Sequence, residues 1–170
     1  VNVLGTNNIA DLSVKYKAYK CMLISTDYAL SPVHVMGYSK RLAEIYMQGL
    51  SQRIRRKKLP AKLCIVRFAD VYPEAPRSLM TLSEACMLIL EVGNLGENGG
   101  IYVFEKESAC ETEATCYERV RKSKEDIVGA DMACKQINSL VEKCESYEPL
   151  TIINEMKKII SCIVEHSVDA

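Results

Sequence analysis

Two short apolar segments on either side of a long amphipathic one constrain the fold of this chain most strongly. Lys20 to Ser25 (K-C-M-L-I-S) and Lys62 to Phe68 (K-L-C-I-V-R-F) are each bounded by polar residues. Such runs are typical of strands that are covered on both faces. Between them, residues 35–58 carry apolar side chains at helical spacing. The pattern therefore predicts a strand–helix–strand unit within a parallel sheet.

The rest of the chain extends this α/β pattern. The other predicted elements are a helix at 2–15, a capping box at 81–84, a helix at 84–92, a third strand at 101–104 and amphipathic helices at 131–144 and 149–164. No strand is predicted after residue 104. Three strands make a thin sheet, and no earlier strand precedes the first. We therefore expect the first strand to form an open edge of what is normally a larger sheet.

The charge balance narrows the classes of partner. The 170 residues carry 22 basic and 22 acidic side chains, so the formal net charge is zero and the electrostatic case for a nucleic-acid binder is lost. The balance is uneven along the chain, at +5 through Gly100 and −5 beyond it. No apolar run reaches the roughly 18–20 residues that span a bilayer, and no secretory signal opens the chain. We predict no nucleic-acid partner, no membrane segment and a cytoplasmic location.

The eight cysteines mostly lie inside apolar stretches. None forms a C-x-x-C pair and the chain has only two histidines, so the spacing of zinc ligands is missing and no metal site is predicted. Buried, reduced thiols of a cytosolic protein are the expected state. Cys110 and Cys116 are exceptions, because they lie in a polar stretch where a thiol could be exposed.

A candidate site follows the first predicted strand. In an open α/β sheet, ligands bind beyond the carboxyl ends of the strands. The first strand ends at Ser25, Thr26 and Asp27, whose hydroxyl and carboxylate groups could orient and protonate a substrate. Met36 and Lys40 begin the next helix one turn apart, so they share a face.

These segments resemble a known family. Residues 25–44 (S-T-D-Y-A-L-S-P-V-H-V-M-G-Y-S-K-R-L-A-E) are similar to the S-T-D-K-A-x-x-P-x-N-x-M-G-x-S-K-R segment of CapD-type polysaccharide biosynthesis proteins. These proteins are extended short-chain dehydrogenases/reductases, typified by UDP-N-acetylglucosamine 4,6-dehydratases. N-V-L-G-T at 2–6, V-R-F-A-D-V at 66–71 and M-T-L-S-E-A at 80–85 resemble further family motifs in the same order. The resemblance covers most of the chain to about residue 105 and is patchy beyond.

The resemblance implies an α/β fold that is the C-terminal part of a Rossmann-like, doubly wound parallel sheet. About three strands and their helices would form a partial nucleotide-sugar dehydratase domain at 1–105, followed by a helical C-terminal region at 106–170. Because the chain starts inside a predicted helix, we expect residues of a larger fold to precede Val1.

The resemblance also implies the catalytic residues. Thr26 and Asp27 match the Thr and Asp that act on the sugar C4 hydroxyl and as the acid in dehydration. Lys40 matches the Lys that holds the nicotinamide ribose and lowers the pKa of the reacting hydroxyl. Ser25 is assigned to the cofactor beside Lys40. The implied cofactor is NAD or NADP.

Substrate contacts and partners are implied in the same way. Arg67 and Asp70, within V-R-F-A-D-V, are assigned to the substrate, which in this family is a UDP-sugar. A homo-oligomer, or a pairing with a homologous subunit, is the implied assembly.

The chain departs from the family pattern in several places. Tyr28 stands where the family has a Lys that acts as base, and Met36 where most short-chain dehydrogenases have the catalytic Tyr. Tyr38 cannot replace Met36, because two helical positions turn a side chain by about 200°. We expect Met36 in the core or lining a pocket. No glycine-rich phosphate loop runs from a strand into a helix N-terminus, and the segment between Val71 and Arg77 is short.

Two functions therefore stay open. The chain is either a nucleotide-sugar dehydratase or epimerase, impaired by the missing phosphate loop, or a non-catalytic remnant that pairs with another subunit. The basic run at Arg53–Lys58 is interpreted as a solvated helix end, favoured by the helix dipole, rather than as a phosphate site.

Overall fold

A computed structural model describes residues 1–68, 71–72, 80–104, 120–122 and 129–168 and shows helices alternating with strands. The strands are β1 (Lys20–Thr26), β2 (Lys62–Phe68), β3 (Val71–Tyr72), β4 (Met80–Thr81), β5 (Ile101–Phe104) and β6 (Val120–Lys122). The α-helices are α1 (Asn2–Lys15), α2 (Val35–Arg56), α3 (Leu82–Leu95), α4 (Ala130–Lys143) and α5 (Pro149–Val168). Short 3-10 helices lie at Asp27–Ala29 and Cys144–Ser146. None of the described helices is both long and apolar enough to cross a membrane.

The main sheet has the strand order β1-β2-β5-β6. β1, β2 and β5 are parallel, which confirms the predicted three-stranded parallel sheet. β6 pairs with β5 in the antiparallel direction, so the prediction of no strand after residue 104 is wrong. Its three residues, V-R-K, are too few to show an apolar alternation, and they form a strand because β5 offers a backbone edge to pair with. β3 and β4 form a separate parallel pair.

β1 lies at the outer edge of the main sheet, as predicted. Within the described residues, no strand pairs with its other side. A cavity of about 300 Å³ lies beside β1 and is lined by apolar side chains that include Ile9, Leu23 and Met47. An unpaired edge next to an apolar cavity is a place where another chain can add a strand.

β1 is only partly buried and Ile24 is 47% exposed, so the prediction that this edge strand is covered on both faces is wrong. At β2 the sheet is covered on both faces, as a doubly wound sheet requires. On one face, Leu63 and Ile65 of β2 pack with α1, α2, α4 and α5. On the other, Cys64 and Val66 pack with α3, β4 and Tyr102. The alternation along β2 explains why residues 63–66 are all apolar. The two C-terminal helices share the first core with α2 and are packed onto the sheet domain.

The capping box predicted at the start of α3 is confirmed. The Thr81 hydroxyl accepts a hydrogen bond from the Glu84 backbone N–H at 3.2 Å, and a Glu84 carboxylate oxygen accepts one from the Thr81 N–H at 2.7 Å. The two bonds satisfy N–H groups that the first helical turn leaves without intrahelical partners.

Thr81→Ala is therefore expected to lower the free energy of unfolding by about 0.5–2 kcal/mol, because the cap hydroxyl is lost. Ser83→Ala, an exposed position in the same turn, is the matched control and should change it by less than about 0.5 kcal/mol. Urea denaturation of the two variants checks this. Equal losses of unfolding free energy in the two variants would show that the Thr81 hydroxyl does not stabilise the start of α3.

Six of the eight cysteines lie in the described residues, and all six are free thiols. Cys64 and Cys134 are buried, and burial raises the pKa of the Cys64 thiol to about 11. Cys86 is exposed on α3, which the expectation of buried thiols did not foresee. Cys110 and Cys116 lie outside the described residues, so their exposure stays a prediction.

Candidate active site

The carboxyl end of β1 presents the hydroxyl and carboxylate predicted there. Thr26 is the last residue of β1, and its hydroxyl accepts a hydrogen bond from the Tyr28 backbone N–H at 3.4 Å. Asp27 then opens the 3-10 turn with an exposed side chain, and its backbone carbonyl accepts from the Leu30 N–H at 3.0 Å. The turn fixes both groups at the edge of the sheet where α/β folds bind ligands.

Lys40 reaches the same place from α2. Its ammonium donates a hydrogen bond to the backbone carbonyl of Ile24 at 2.9 Å. Ile24 precedes Thr26 by two positions on β1, so the side chain of Lys40 lies along the end of that strand. Two motifs that are separate in the sequence are therefore brought together by one contact.

The start of α2 is held against the turn after β1. His34 is the N-cap, and its Nδ1 accepts a hydrogen bond from the Gly37 N–H at 3.1 Å. The His34 and Tyr28 rings lie 5.3 Å apart between centroids. From the sequence, no role was assigned to His34. Its position just before an apolar helical run was the signal for a cap.

Gly37 permits the close approach of α2 to that turn. A Cβ at this position would lie 2.8 Å from the Tyr28 carbonyl oxygen and 3.1 Å from the Pro32 Cβ. Since the nearest group is backbone, a larger side chain would push the helix away from the turn.

Gly37→Ala is expected to lower the free energy of unfolding by about 1–3 kcal/mol, because the added methyl overpacks this contact. Gly5→Ala in α1 is the opposite case, since its Cβ would meet nothing nearer than 4.0 Å. It should raise the free energy of unfolding by about 0.5–1 kcal/mol through helix propensity. Thermal unfolding of both variants measures the difference, and destabilisation of similar size in both would contradict it.

Met36 and Tyr38 turn in different directions on α2. Tyr38 faces α5, where the Lys157 ammonium lies 5.5 Å from its ring centroid, and this confirms that it does not replace Met36. Met36 is half exposed and belongs to neither apolar core, so the expected core position is wrong. The first turn of α2 carries it beyond the packed region, where described neighbours such as Val35 are also exposed.

Arg67, predicted to contact the substrate, is buried beneath the site and only 3% exposed. Its Nε and Nη2 donate to the two carboxylate oxygens of Glu44 at 2.9 and 2.8 Å. Arg41 also donates to Glu44 at 3.1 Å. Glu44 is fully buried, and sequence reasoning missed it, although an arginine inside a buried strand requires a partner. Direct contact of Arg67 with a substrate stays a prediction.

Of the two other predicted site residues, the structure describes Ser25 but not Asp70. Ser25 is buried on β1 beside Arg67 in register, and its hydroxyl forms no hydrogen bond with the described residues. Its contact with a cofactor stays a prediction. Asp70 lies outside the described residues.

Three glycines near the end of α3 have the spacing, but not the surroundings, of a phosphate loop. Gly93, Gly96 and Gly99 have the spacing of a G-x-x-G-x-x-G phosphate loop, but Gly93 lies in the last turn of α3 and the other two lie between that helix and β5. A phosphate loop presents the N–H groups of a helix N-terminus. The end of α3 instead presents carbonyl oxygens, and the Lys20 ammonium donates a hydrogen bond to the Gly93 carbonyl at 2.6 Å. The spacing of the motif is therefore present, but the backbone groups presented here are hydrogen-bond acceptors, which do not suit the phosphates of a dinucleotide.

The comparisons with known proteins agree with the motifs. Residues 1–75 match the family described as polysaccharide biosynthesis protein. The capsular polysaccharide biosynthesis protein CapD of Staphylococcus aureus is 31% identical over 128 residues, which cover 61% of this chain and 21% of CapD. The UDP-glucose 4-epimerase of Rickettsia canadensis is 28% identical over 181 residues, covering 92% of this chain and 50% of the epimerase.

A solved structure shares the fold. The X-ray structure of Pen from Bacillus thuringiensis superposes with a TM-score of 0.56 at 17% identity, over 84% of this chain and 45% of Pen. The chain thus spans half or less of the length of these relatives. Motifs and relatives agree that this chain is similar to the CapD-type polysaccharide biosynthesis proteins and to UDP-glucose 4-epimerases, and the solved structure agrees with the fold.

Proposed function

We propose that the carboxyl end of β1 is the substrate side of the active site of a nucleotide-sugar dehydratase or epimerase. The substrate class is a UDP-sugar, as the names of the epimerase relatives suggest. The observation that supports this most is the hydrogen bond from Lys40 to the Ile24 carbonyl at 2.9 Å. It brings the ammonium to the strand end that carries Thr26 and Asp27.

The roles follow from the chemistry of the three groups. The Thr26 hydroxyl orients a sugar hydroxyl by hydrogen bonding. The Lys40 ammonium lowers the pKa of that hydroxyl, since a nearby positive charge favours the ionised form. The exposed Asp27 carboxyl exchanges a proton with the substrate as a general acid. Tyr28 occupies the position of the family's base, half exposed beside His34.

The residues fit one end of NAD or NADP. Lys40, and the Ser25 hydroxyl with no hydrogen-bond partner in the described residues, fit the ribose and nicotinamide end. When bound, the cofactor would accept or return a hydride at the sugar. The pyrophosphate end finds no matching loop, because the only glycine spacing of that kind runs from a helix to a strand. We therefore propose that this chain binds substrate but that its own turnover is impaired.

Substrate binding and turnover test the two parts separately. UDP-N-acetylglucosamine and UDP-glucose, each with NAD, are titrated calorimetrically and then assayed for a 4-keto sugar or an epimer. We expect binding that Lys40→Met weakens at least tenfold, whereas Lys135→Met, an exposed lysine on α4, leaves it unchanged. Turnover should be very slow. Absence of binding, or equal effects of both variants, would overturn the proposal, and fast turnover would overturn the impairment.

Pairing with another subunit is the alternative, and it rests on the open edge of β1 beside the apolar cavity. A second copy or a homologous chain would add a strand there. Light scattering tests this, since a strict monomer without affinity for a full-length homologue argues against any such partner. We also propose a cytoplasmic location for this protein.

A further inference from the structure

Basic side chains gather at the end of the sheet opposite the candidate site, and we name this surface the basic end. It is built from two segments, 15–20 and 53–62, that the fold places side by side, because β1 and β2 start next to each other with Lys20 paired to Lys62. α1 and α2 also end there. Six of its cations are exposed: Lys15, Lys17, Arg55, Arg56, Lys57 and Lys58.

Part of this charge has a structural role. The Lys20 ammonium donates to the carbonyl oxygens at the end of α3, and Lys62 lies 5.3 Å from the Tyr19 ring centroid. Arg56, in the last turn of α2, is stabilised by the helix dipole and forms an ion pair with Asp131, and Arg55 donates to the Asn98 carbonyl at 3.5 Å. The dipole effect fades beyond the last turn, so it does not account for Lys17, Lys57 and Lys58.

Exposed apolar surface lies among these cations. Tyr16 and Tyr19 follow the end of α1 and are 73% and 70% exposed. Leu59, after α2, is also exposed. Tyrosine beside lysine and arginine is the composition found at the water interface of bilayers, where the ring enters the headgroup layer and the cations meet lipid phosphates.

We propose that the basic end docks on the surface of an anionic lipid bilayer. Each lysine or arginine near such a surface raises the binding constant roughly fivefold, so several cations act together although the whole chain is neutral. Nucleic-acid phosphates are held by Arg and Lys side chains together with backbone N–H groups and helix N-termini, whereas this end presents the C-termini of α1 and α2 and offers exposed tyrosine rings beside its cations. A diffuse anionic surface suits side-chain cations that project beyond helix ends.

Docking in this way sets the orientation of the candidate site. β1 has seven residues and is therefore about 23 Å long, with the basic end at its start and Thr26 at its end. The site would point away from the bilayer toward solvent, where a nucleotide sugar is available. The proposal does not depend on the chain being an active enzyme.

Co-sedimentation with vesicles tests the proposal. The probes are phosphatidylcholine vesicles with and without 30% phosphatidylserine, at low and high salt. We expect binding only to anionic vesicles and its loss in high salt. Lys17→Glu/Lys57→Glu/Lys58→Glu should weaken binding by roughly 100-fold or more, since three cations are lost and reversed. Lys135→Glu/Lys143→Glu/Lys158→Glu, on α4 and α5, makes the same change in charge and should retain binding.

Three outcomes would overturn the proposal. These are no binding to anionic vesicles at low salt, equal losses in both triple variants, and tighter binding of the same surface to a labelled RNA or DNA oligonucleotide. Tyr16→Ala/Tyr19→Ala adds a second readout, because loss of the rings should weaken the binding that remains at moderate salt without changing the charge. Circular dichroism confirms that each variant is folded.

Discussion

Glu44→Ala is expected to lower the free energy of unfolding by about 3–5 kcal/mol. The carboxylate is fully buried and accepts two hydrogen bonds from Arg67, which is itself 3% exposed. Without Glu44 the guanidinium is left as a buried charge with its main partner removed, and that desolvation is not compensated. Urea denaturation measures the loss, with Glu142→Ala on the exposed face of α4 as the control, expected within about 0.5 kcal/mol.

A triple variant separates the net contribution of the ion pairs to stability from the cost of breaking them. Because Arg41 also donates to Glu44, Glu44→Leu/Arg41→Met/Arg67→Met replaces all three charges by apolar groups, and it should recover most of the stability, since such replacements are often neutral. If the triple variant were as unstable as Glu44→Ala, the loss would come from packing and the account of a buried charge would be wrong. Glu44 follows Lys40 by one helical turn, so the ion pair also fixes α2 against β2 beneath the site.

Ile137→Ala is expected to lower the free energy of unfolding by about 2–5 kcal/mol. Ile137 of α4 is fully buried in the core that joins α1, α2, α4 and α5 to the sheet. Truncation removes apolar contacts and leaves a cavity that these packed elements can fill only in part. Met132→Ala, an exposed position on the same helix, should cost less than about 0.5 kcal/mol.

The same measurement tests whether the helical C-terminal region is energetically part of the sheet domain. A single unfolding transition that shifts as a whole in Ile137→Ala is expected, because α4 and α5 share their core with α2. A separate early transition, with the sheet unaffected, would show that α4 and α5 unfold independently of it.

Burial decided which elements were predictable from the sequence. β2 is covered on both faces, so its apolar run and both of its bounds, Lys62 and Phe68, agree with the prediction. α1 was predicted with its bounds for a similar reason, since Val3 and Ala10 face the core. β6 was not predictable, because a three-residue edge strand exists through backbone pairing with β5 and leaves no apolar pattern.

The site was predictable where its groups lie at element ends and not where they depend on contacts between elements. Thr26 and Asp27 follow a strand and Lys40 starts a helix, and both positions could be read along the chain. The partner of Arg67 comes from a helix 23 residues away, so the sequence did not reveal that Glu44 binds its guanidinium. Met36 was expected in the core or lining a pocket; the core position is wrong because periodicity carries no information about where the packed region ends, and the lining of a pocket stays a prediction.

The central claim is that the carboxyl end of β1 binds a nucleotide sugar. It is tested most directly by titrating UDP-N-acetylglucosamine, with NAD present, into the ¹⁵N-labelled chain and following its backbone amide resonances. We predict that the saturable shifts concentrate at Thr26–Tyr28 and Gly37–Arg41 and are lost in Lys40→Met. Saturable shifts confined to the cavity beside β1 or to the basic end, or no shifts at all, would contradict it.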